Sequence, residues 1–253
     1  MKIALCFYGL LGGTQGHAGD RIGSSLDVLN KAFPHYKEHI LDKNDVDVFI
    51  HSWDVDLQEE IITKYSPKLS KFEPSATFEI PPPLENTQRV QNVCCRWYSC
   101  KEVNELKSQY EKDNNFVYDF VMLSRQDIAW QIDIDFNQLD NNYFYVAEWK
   151  NHINGNPMGY PYGGYAKSLQ DFWCISNSEY MNELCNIFDY IPQYCIESDE
   201  LMGYKGLSNH RLLYYKLLKM GIIPNKLKFK FNYDLMSKSD MPLVRWKYFN
   251  DIT

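Results

Sequence analysis

Three short apolar runs that each end in polar side chains constrain this chain more than any other feature. Lys2 to Tyr8 reads as a buried first strand, and Val46 to His51, in the string DVDVFIHSWD, as a second. Phe120 to Leu123, in YDFVMLSRQD, reads as a third that runs straight into Arg125 and Asp127. Between the first two, Ile22, Leu26, Leu29, Ala32, Phe33 and Tyr36 recur at helical spacing. A strand, helix, strand order of this kind points to a parallel βαβ start. The expected class is α/β, with a mixed, mostly parallel central sheet flanked by helices. In such open sheets ligands bind beyond the carboxyl ends of the strands, which is where Arg125 and Asp127 fall.

The rest of the chain fits the same plan. Residues 56 to 64 read as a short helix, and Lys68 to Phe72 and Thr77 to Ile80 as short extended segments. Pro81, Pro82 and Pro83 form a stiff break. A long helix is expected from about Asn86 to Tyr110, and further strands at Tyr143 to Trp149 and Phe172 to Ser176. Glu179 to Met220 reads as mainly helical and the chain after Pro224 as less regular. At 253 residues the chain is long enough for one large core, and one compact domain with a C-terminal helical extension is the favoured organisation.

A net charge of -7 lacks the basic footprint of non-specific nucleic-acid binding. Arginine is scarce, and three of the six, Arg89, Arg96 and Arg125, fall in one segment. The seven cysteines form no C-x-x-C pair, and their odd number leaves one unpaired in any complete disulfide scheme. Buried free thiols in a reducing compartment, hence a cytoplasmic protein, are the simpler expectation. The start MKIALCFYGLLGG resembles a short signal peptide only superficially, because the run is brief, contains Tyr8 and lacks a small-x-small cleavage site. No other stretch approaches the roughly 20 apolar residues of a membrane span.

Several groups are candidates for chemistry. The loop GLLGGTQG after the first strand, with Tyr8 and Gly9 at its start, serves either as a phosphate and nucleoside cradle or as a plain surface loop. It has neither the G-K-[ST] ending of a Walker A loop nor the spacing G-x-G-x-x-G. Arg89 and Arg96 are seven residues apart, so on a helix they project within about 20° of each other. Two such guanidinium groups suit a diphosphate, or a solvated helix face. Asp133-Ile134-Asp135 is a literal D-x-D, yet it alternates with Ile132 and Phe136 as a half-exposed strand would, and its charges read as solvated. Asp127 is better placed to hold Mg²⁺ or Mn²⁺. Asp171, Asp199 and Glu200 are candidate general bases, and Asp199 serves equally as a helix N-cap. His51 and His210 are either ligands or packed side chains. Trp149, Tyr160, Tyr162 and Tyr165 suit either sugar stacking or packing.

The strings MKIALCFYG, DVDVFIHSWD, RWYSCKEVNELKSQYE, YDFVMLSRQDIAW and DFWCISNSEYMNEL occur in this order. Together they resemble a family of small glycosyltransferase-like proteins of viruses, phages and bacterial surface-polysaccharide loci. The resemblance implies a GT-A-like (Rossmann-like) domain over residues 1–253, with the nucleotide-sugar half at 1–130 and the acceptor half at 131–253. It also implies a UDP- or GDP-linked sugar donor, a glycan acceptor, a divalent cation near Asp127, and host cytoplasm as the location if the protein is viral. The chain departs from the family pattern at Arg125, which stands where the first acidic residue of the D-x-D position is expected. Two alternatives differ in class: an inactive glycan- or nucleotide-binding scaffold, and a sugar nucleotidyltransferase. The scarcity of Lys and Arg between Gly9 and Asp20 disfavours the latter.

Overall fold

The first strand, β1 (Ile3–Gly9), is buried along nearly its whole length, and so is β4 (Phe120–Arg125). A strand apolar on both faces needs cover on both, which helices supply. The computed structural model describes residues 1–12, 24–80, 82, 84–147, 167–203, 206–230 and 243–245. After β1 come α1 (Ser25–Tyr36), β2 (Val46–Ser52), α2 (Gln58–Tyr65), β3 (Leu69–Phe72) and α3 (Gln88–Asp113), and then β4. β5 (Ile128–Trp130), β6 (Phe144–Val146), β7 (Trp173–Ser176), α4 (Ser178–Cys185) and α5 (Ile187–Glu197) follow. The chain closes with β8 (Met202–Gly203), β9 (Gly206–Leu207), α6 (Asn209–Lys219), β10 (Leu227–Phe229) and β11 (Leu243–Arg245).

Among the described residues, seven strands form the central sheet in the order β10-β6-β7-β4-β1-β2-β3. β3, β2, β1 and β4 run parallel, β7 is antiparallel to both β4 and β6, and β10 is parallel to β6. The result is a Rossmann-like α/β fold with a mixed, mostly parallel sheet, as the apolar runs predict. On one face Leu29, Ala32 and Tyr36 of α1 and Ile61 of α2 pack against Leu5, Phe7 and Ile50. On the other, Val93, Trp97 and Val103 of α3 join Leu184, Ile191 and Leu213 from α4, α5 and α6. β5 and β11 make a separate two-stranded antiparallel ladder.

Local chemistry fixes the helix starts. Ser24 caps α1 in a reciprocal box: its Oγ accepts the Asp27 N–H at 3.2 Å and Asp27 accepts the Ser24 N–H at 2.8 Å. Thr87 caps α3 through the Val90 N–H. One buried charge network ties α3 to α4. Lys107 has no exposure and donates to Glu111 at 2.9 Å and to Asn182 at 2.8 Å, while Glu111 accepts the Tyr118 N–H at 2.8 Å.

Four expectations need correction. Leu26 faces solvent, 37% exposed, because the inward stripe of α1 is Val28, Leu29, Ala32 and Tyr36. Residues 77–80 join no strand. The stretch from 179 to 220 breaks at 198–208, where a 3₁₀ turn and the β8–β9 hairpin intervene. Beyond Pro224 the described residues form two strands, and one extends the main sheet. Short edge strands carry little periodicity, which hides them from sequence reading.

All seven cysteines are free thiols. No helix among the described residues is long and apolar enough to cross a membrane.

Candidate functional site

Strand register assembles the site. Tyr8 pairs with Arg125 on one flank and His51 on the other, and His51 pairs with Lys71. Four polar side chains therefore line up at the carboxyl edge of four adjacent parallel strands. α3 crosses this row. Three residues along a helix advance about 4.5 Å, close to the roughly 4.8 Å between strands, so Arg96, Ser99 and Glu102 meet successive strands. The Arg96 guanidinium lies 5.0 Å from the Tyr8 ring centre. Ser99 Oγ is 2.6 Å from His51 Nδ1, and Glu102 accepts from Lys71 Nζ at 2.6 Å.

Ser99 is the pivot. Its Oγ accepts the Gly9 N–H at 2.8 Å, so the hydroxyl proton is available to His51 Nδ1. The ring proton then sits on Nε2, which faces Glu73 at 3.0 Å. Burial lowers the His51 pKa, which favours this neutral form. Gly9 has φ +88°, a conformation that favours glycine and turns the chain out of β1. Beyond it, Asp54 accepts the Leu11 N–H at 2.6 Å, and burial raises the Asp54 carboxyl above its usual range.

At the other flank stand two arginine–carboxylate pairs. Arg125 grips Asp127 through two bonds, Nε to Oδ1 at 2.6 Å and Nη2 to Oδ2 at 2.5 Å. Burial disfavours the Arg125 charge, but Asp127 outweighs it and the guanidinium stays protonated. Arg96 binds both the Asp171 carboxylate and the Asp171 carbonyl. The Tyr8 hydroxyl donates to that same carbonyl at 3.1 Å. Burial pushes the Asp171 carboxyl up, yet Arg96 and then His210 overcome this and hold it well below the usual carboxylate range. The two guanidinium groups are close enough for each charge to disfavour the other.

His210 Nδ1 lies 3.0 Å from the Leu169 carbonyl and 3.1 Å from Asp171 Oδ1. Both partners are acceptors, so Nδ1 donates to them and Nε2 is the second ring nitrogen. Asp171 is thus a poor general base, with one oxygen on Arg96 and the other facing His210. Asp199 lies exposed in the 3₁₀ turn Asp199–Leu201 and does not open α6, whose N-cap position is Ser208. The Glu200 side chain lies outside the described residues, as do Trp149, Tyr160, Tyr162, Tyr165 and most of the glycine loop.

Arg89 and Arg96 share a helix face, yet Arg89 reaches the β8–β9 strands and Arg96 reaches Asp171. Arg89 Nε donates to the Leu207 carbonyl at 2.8 Å, about 10 Å along the axis from Arg96. The guanidinium that joins Arg96 at the sheet edge is Arg125. Asp133 bonds His39 at 2.8 Å and Lys43 at 2.9 Å, and Asp135 caps the turn Phe136–Gln138, so the literal D-x-D is a surface feature outside any strand.

Among the described residues, the donor set at Asp127 does not fit a divalent cation. A guanidinium lies across both Asp127 oxygens, and a cation there would have to displace Arg125. His51, Glu73 and Glu102 bring ligand atoms within 4.8 Å of one another. There Lys71 already supplies the positive charge, 3.1 Å from Glu73 and 2.6 Å from Glu102.

Ser99, Glu73, Glu102, Asp54, Gln126 and Gln170 escape sequence reading. The spacing Arg96-x-x-Ser99-x-x-Glu102 was the available signal, since it repeats at the interval that matches strand spacing. No protein-family model matches this chain, and no curated protein matches it.

Proposed function

We propose that the protein is a glycosyltransferase that moves a sugar from a nucleoside-diphosphate donor to a hydroxyl of a glycan, on a GT-A-like domain. The observation that carries this reading is the pairing of Arg96 and Arg125 at the carboxyl edge of a mostly parallel sheet, each braced by a carboxylate. Two braced guanidinium groups suit a diphosphate, which they meet with forked, charge-assisted hydrogen bonds. Arg125 takes the place that a metal would otherwise fill, so the reaction proceeds without a divalent cation at Asp127.

The residues divide the work. Arg96 and Arg125 stabilise negative charge as it develops on the leaving diphosphate. Asp127 and Asp171 hold these arginines in place. Gly9 and Tyr8 present the end of β1 to the nucleoside, and His51 fixes the neighbouring turn through Ser99. His210, oriented by Asp171, accepts the proton of the attacking hydroxyl at Nε2.

Asp127→Ala tests the assignment. The reading predicts that this variant folds yet no longer turns over UDP- or GDP-linked sugars. Wild-type-like hydrolysis or transfer by the variant would sink it.

A second reading is a nucleotide- or glycan-binding scaffold without turnover, since the fold does not guarantee activity. What favours it is that Asp127 and Asp171 are both committed to internal ion pairs. A scaffold of this kind binds a nucleotide and releases no sugar from any donor.

A further inference from the structure

Polar side chains buried without partners are rare in folded proteins, because each costs the full desolvation of the group. Four such atoms belong to three residues that flank the Arg125–Asp127 and Arg96–Asp171 pairs. Gln126 has no exposure, and among the described residues neither its Nε2 nor its Oε1 has a partner. Gln170 is equally buried and its Nε2 has none, although its Oε1 accepts the Phe172 N–H at 3.1 Å. Arg96 Nε is the fourth. Gln126 lies between Arg125 and Asp127, and Gln170 directly precedes Asp171. The Arg125 N–H bonds the Phe172 carbonyl at 3.2 Å, so both glutamines sit at the same end of neighbouring strands.

We propose that Gln126 and Gln170 form a subsite that reads hydroxyl groups of the transferred sugar, an inference that rests on the glycosyltransferase reading above. The chemistry of the unpaired set selects the ligand. It offers three donor nitrogens and one acceptor oxygen. A phosphate only accepts, and would leave Gln126 Oε1 unpaired. A sugar hydroxyl both donates and accepts, so a pair of hydroxyls satisfies the mixed set. Position agrees: the subsite adjoins the arginines assigned to the diphosphate, where the first sugar carbon must lie. Such a site carries a stability cost in the free protein and rejects ligands that lack the matching hydroxyls.

The test compares wild type with Gln126→Met and, separately, Gln170→Met. Methionine keeps the length and flexibility of the side chain and removes the amide. Melting temperature and binding are measured with UDP, UDP-glucose, GDP and GDP-mannose. The expected result is a melting midpoint raised by about 2 °C or more in the unliganded variants, as unpaired polar atoms disappear. Affinity for the bare nucleotide stays unchanged, and the extra affinity conferred by the sugar falls about tenfold. A lowered melting midpoint in both variants, or sugar discrimination equal to wild type, overturns the subsite. If wild type itself binds none of the four probes, the glycosyltransferase reading has failed and the subsite falls with it. Wild-type binding with unaltered variants condemns the subsite alone.

Discussion

Arg125 and Asp127 are joined by two parallel hydrogen bonds at 2.6 and 2.5 Å, yet they differ in their access to water. The Arg125 side chain is 25% exposed and the Asp127 side chain is fully buried. Loss of the two partners should therefore cost unequally. Arg125→Met takes the guanidinium from a carboxylate that water does not reach, and should destabilise by about 3–5 kcal/mol. Asp127→Ala frees a guanidinium that can turn to solvent and should cost about 2 kcal/mol or less. Urea denaturation of both variants measures the difference. Equal losses would show that the pair is not asymmetrically solvated.

Acid should act on the fold partly through Asp171. Its folded-state pKa is depressed, since Arg96 and His210 outweigh burial, whereas the unfolded value is about 3.9. The stabilisation is therefore complete well above pH 3.9 and is lost as pH falls below it toward the folded pKa. Melting temperature measured from pH 7 down to pH 2 should fall less steeply below pH 4 in Asp171→Asn than in wild type. Parallel acid limbs would contradict the depressed value.

The proposed glycosyltransferase reading gives proton transfer to His210, which Asp171 orients. His210→Gln should reduce donor turnover by about 100-fold or more, the low end of general-base contributions, whereas Asp199→Asn, in the exposed turn, should leave it near wild type. Sugar release from a nucleotide-sugar donor measures both. A larger loss at Asp199 would move the base to the 3₁₀ turn.

The Lys107–Glu111 pair tests the structural side of α3. Lys107→Met alone leaves Glu111 buried without its ammonium and should cost about 3 kcal/mol or more. Lys107→Met combined with Glu111→Leu should recover much of that loss, because an apolar pair of similar volume often replaces a buried ion pair without penalty. Denaturation midpoints of the single and double variants decide the matter. Additive losses would mean that the two residues act independently.

Much of this arrangement was legible in the sequence, for identifiable reasons. β1, β2 and β4 announce themselves as apolar runs because parallel strands are buried on both faces, and the same runs locate Tyr8, His51 and Arg125 at their ends. Register was not legible, so nothing in the sequence aligned those three with Lys71 or placed Ser99 over His51. Asp171 was recognisable as a candidate but not as a carboxylate held by Arg96 and His210, since those contacts join residues 75 and 39 positions away. The helical spacing of Arg89 and Arg96 was right, but partners rather than spacing decided their roles. Arg89 met the Leu207 carbonyl in a hairpin too short to leave a periodic signal.

On the proposed reading, two braced arginines form a diphosphate site that needs no metal at Asp127. Thermal-shift titration with UDP, GDP and CMP, each with and without Mn²⁺, tests it most directly, because a ligand raises the melting temperature only where it binds the folded state. The predicted result is stabilisation by UDP or GDP that exceeds that by CMP, is unchanged by Mn²⁺ or a chelator, and is absent in Arg125→Met. No stabilisation by any nucleotide, or stabilisation that appears only with Mn²⁺, would rule out a metal-free diphosphate site at these arginines.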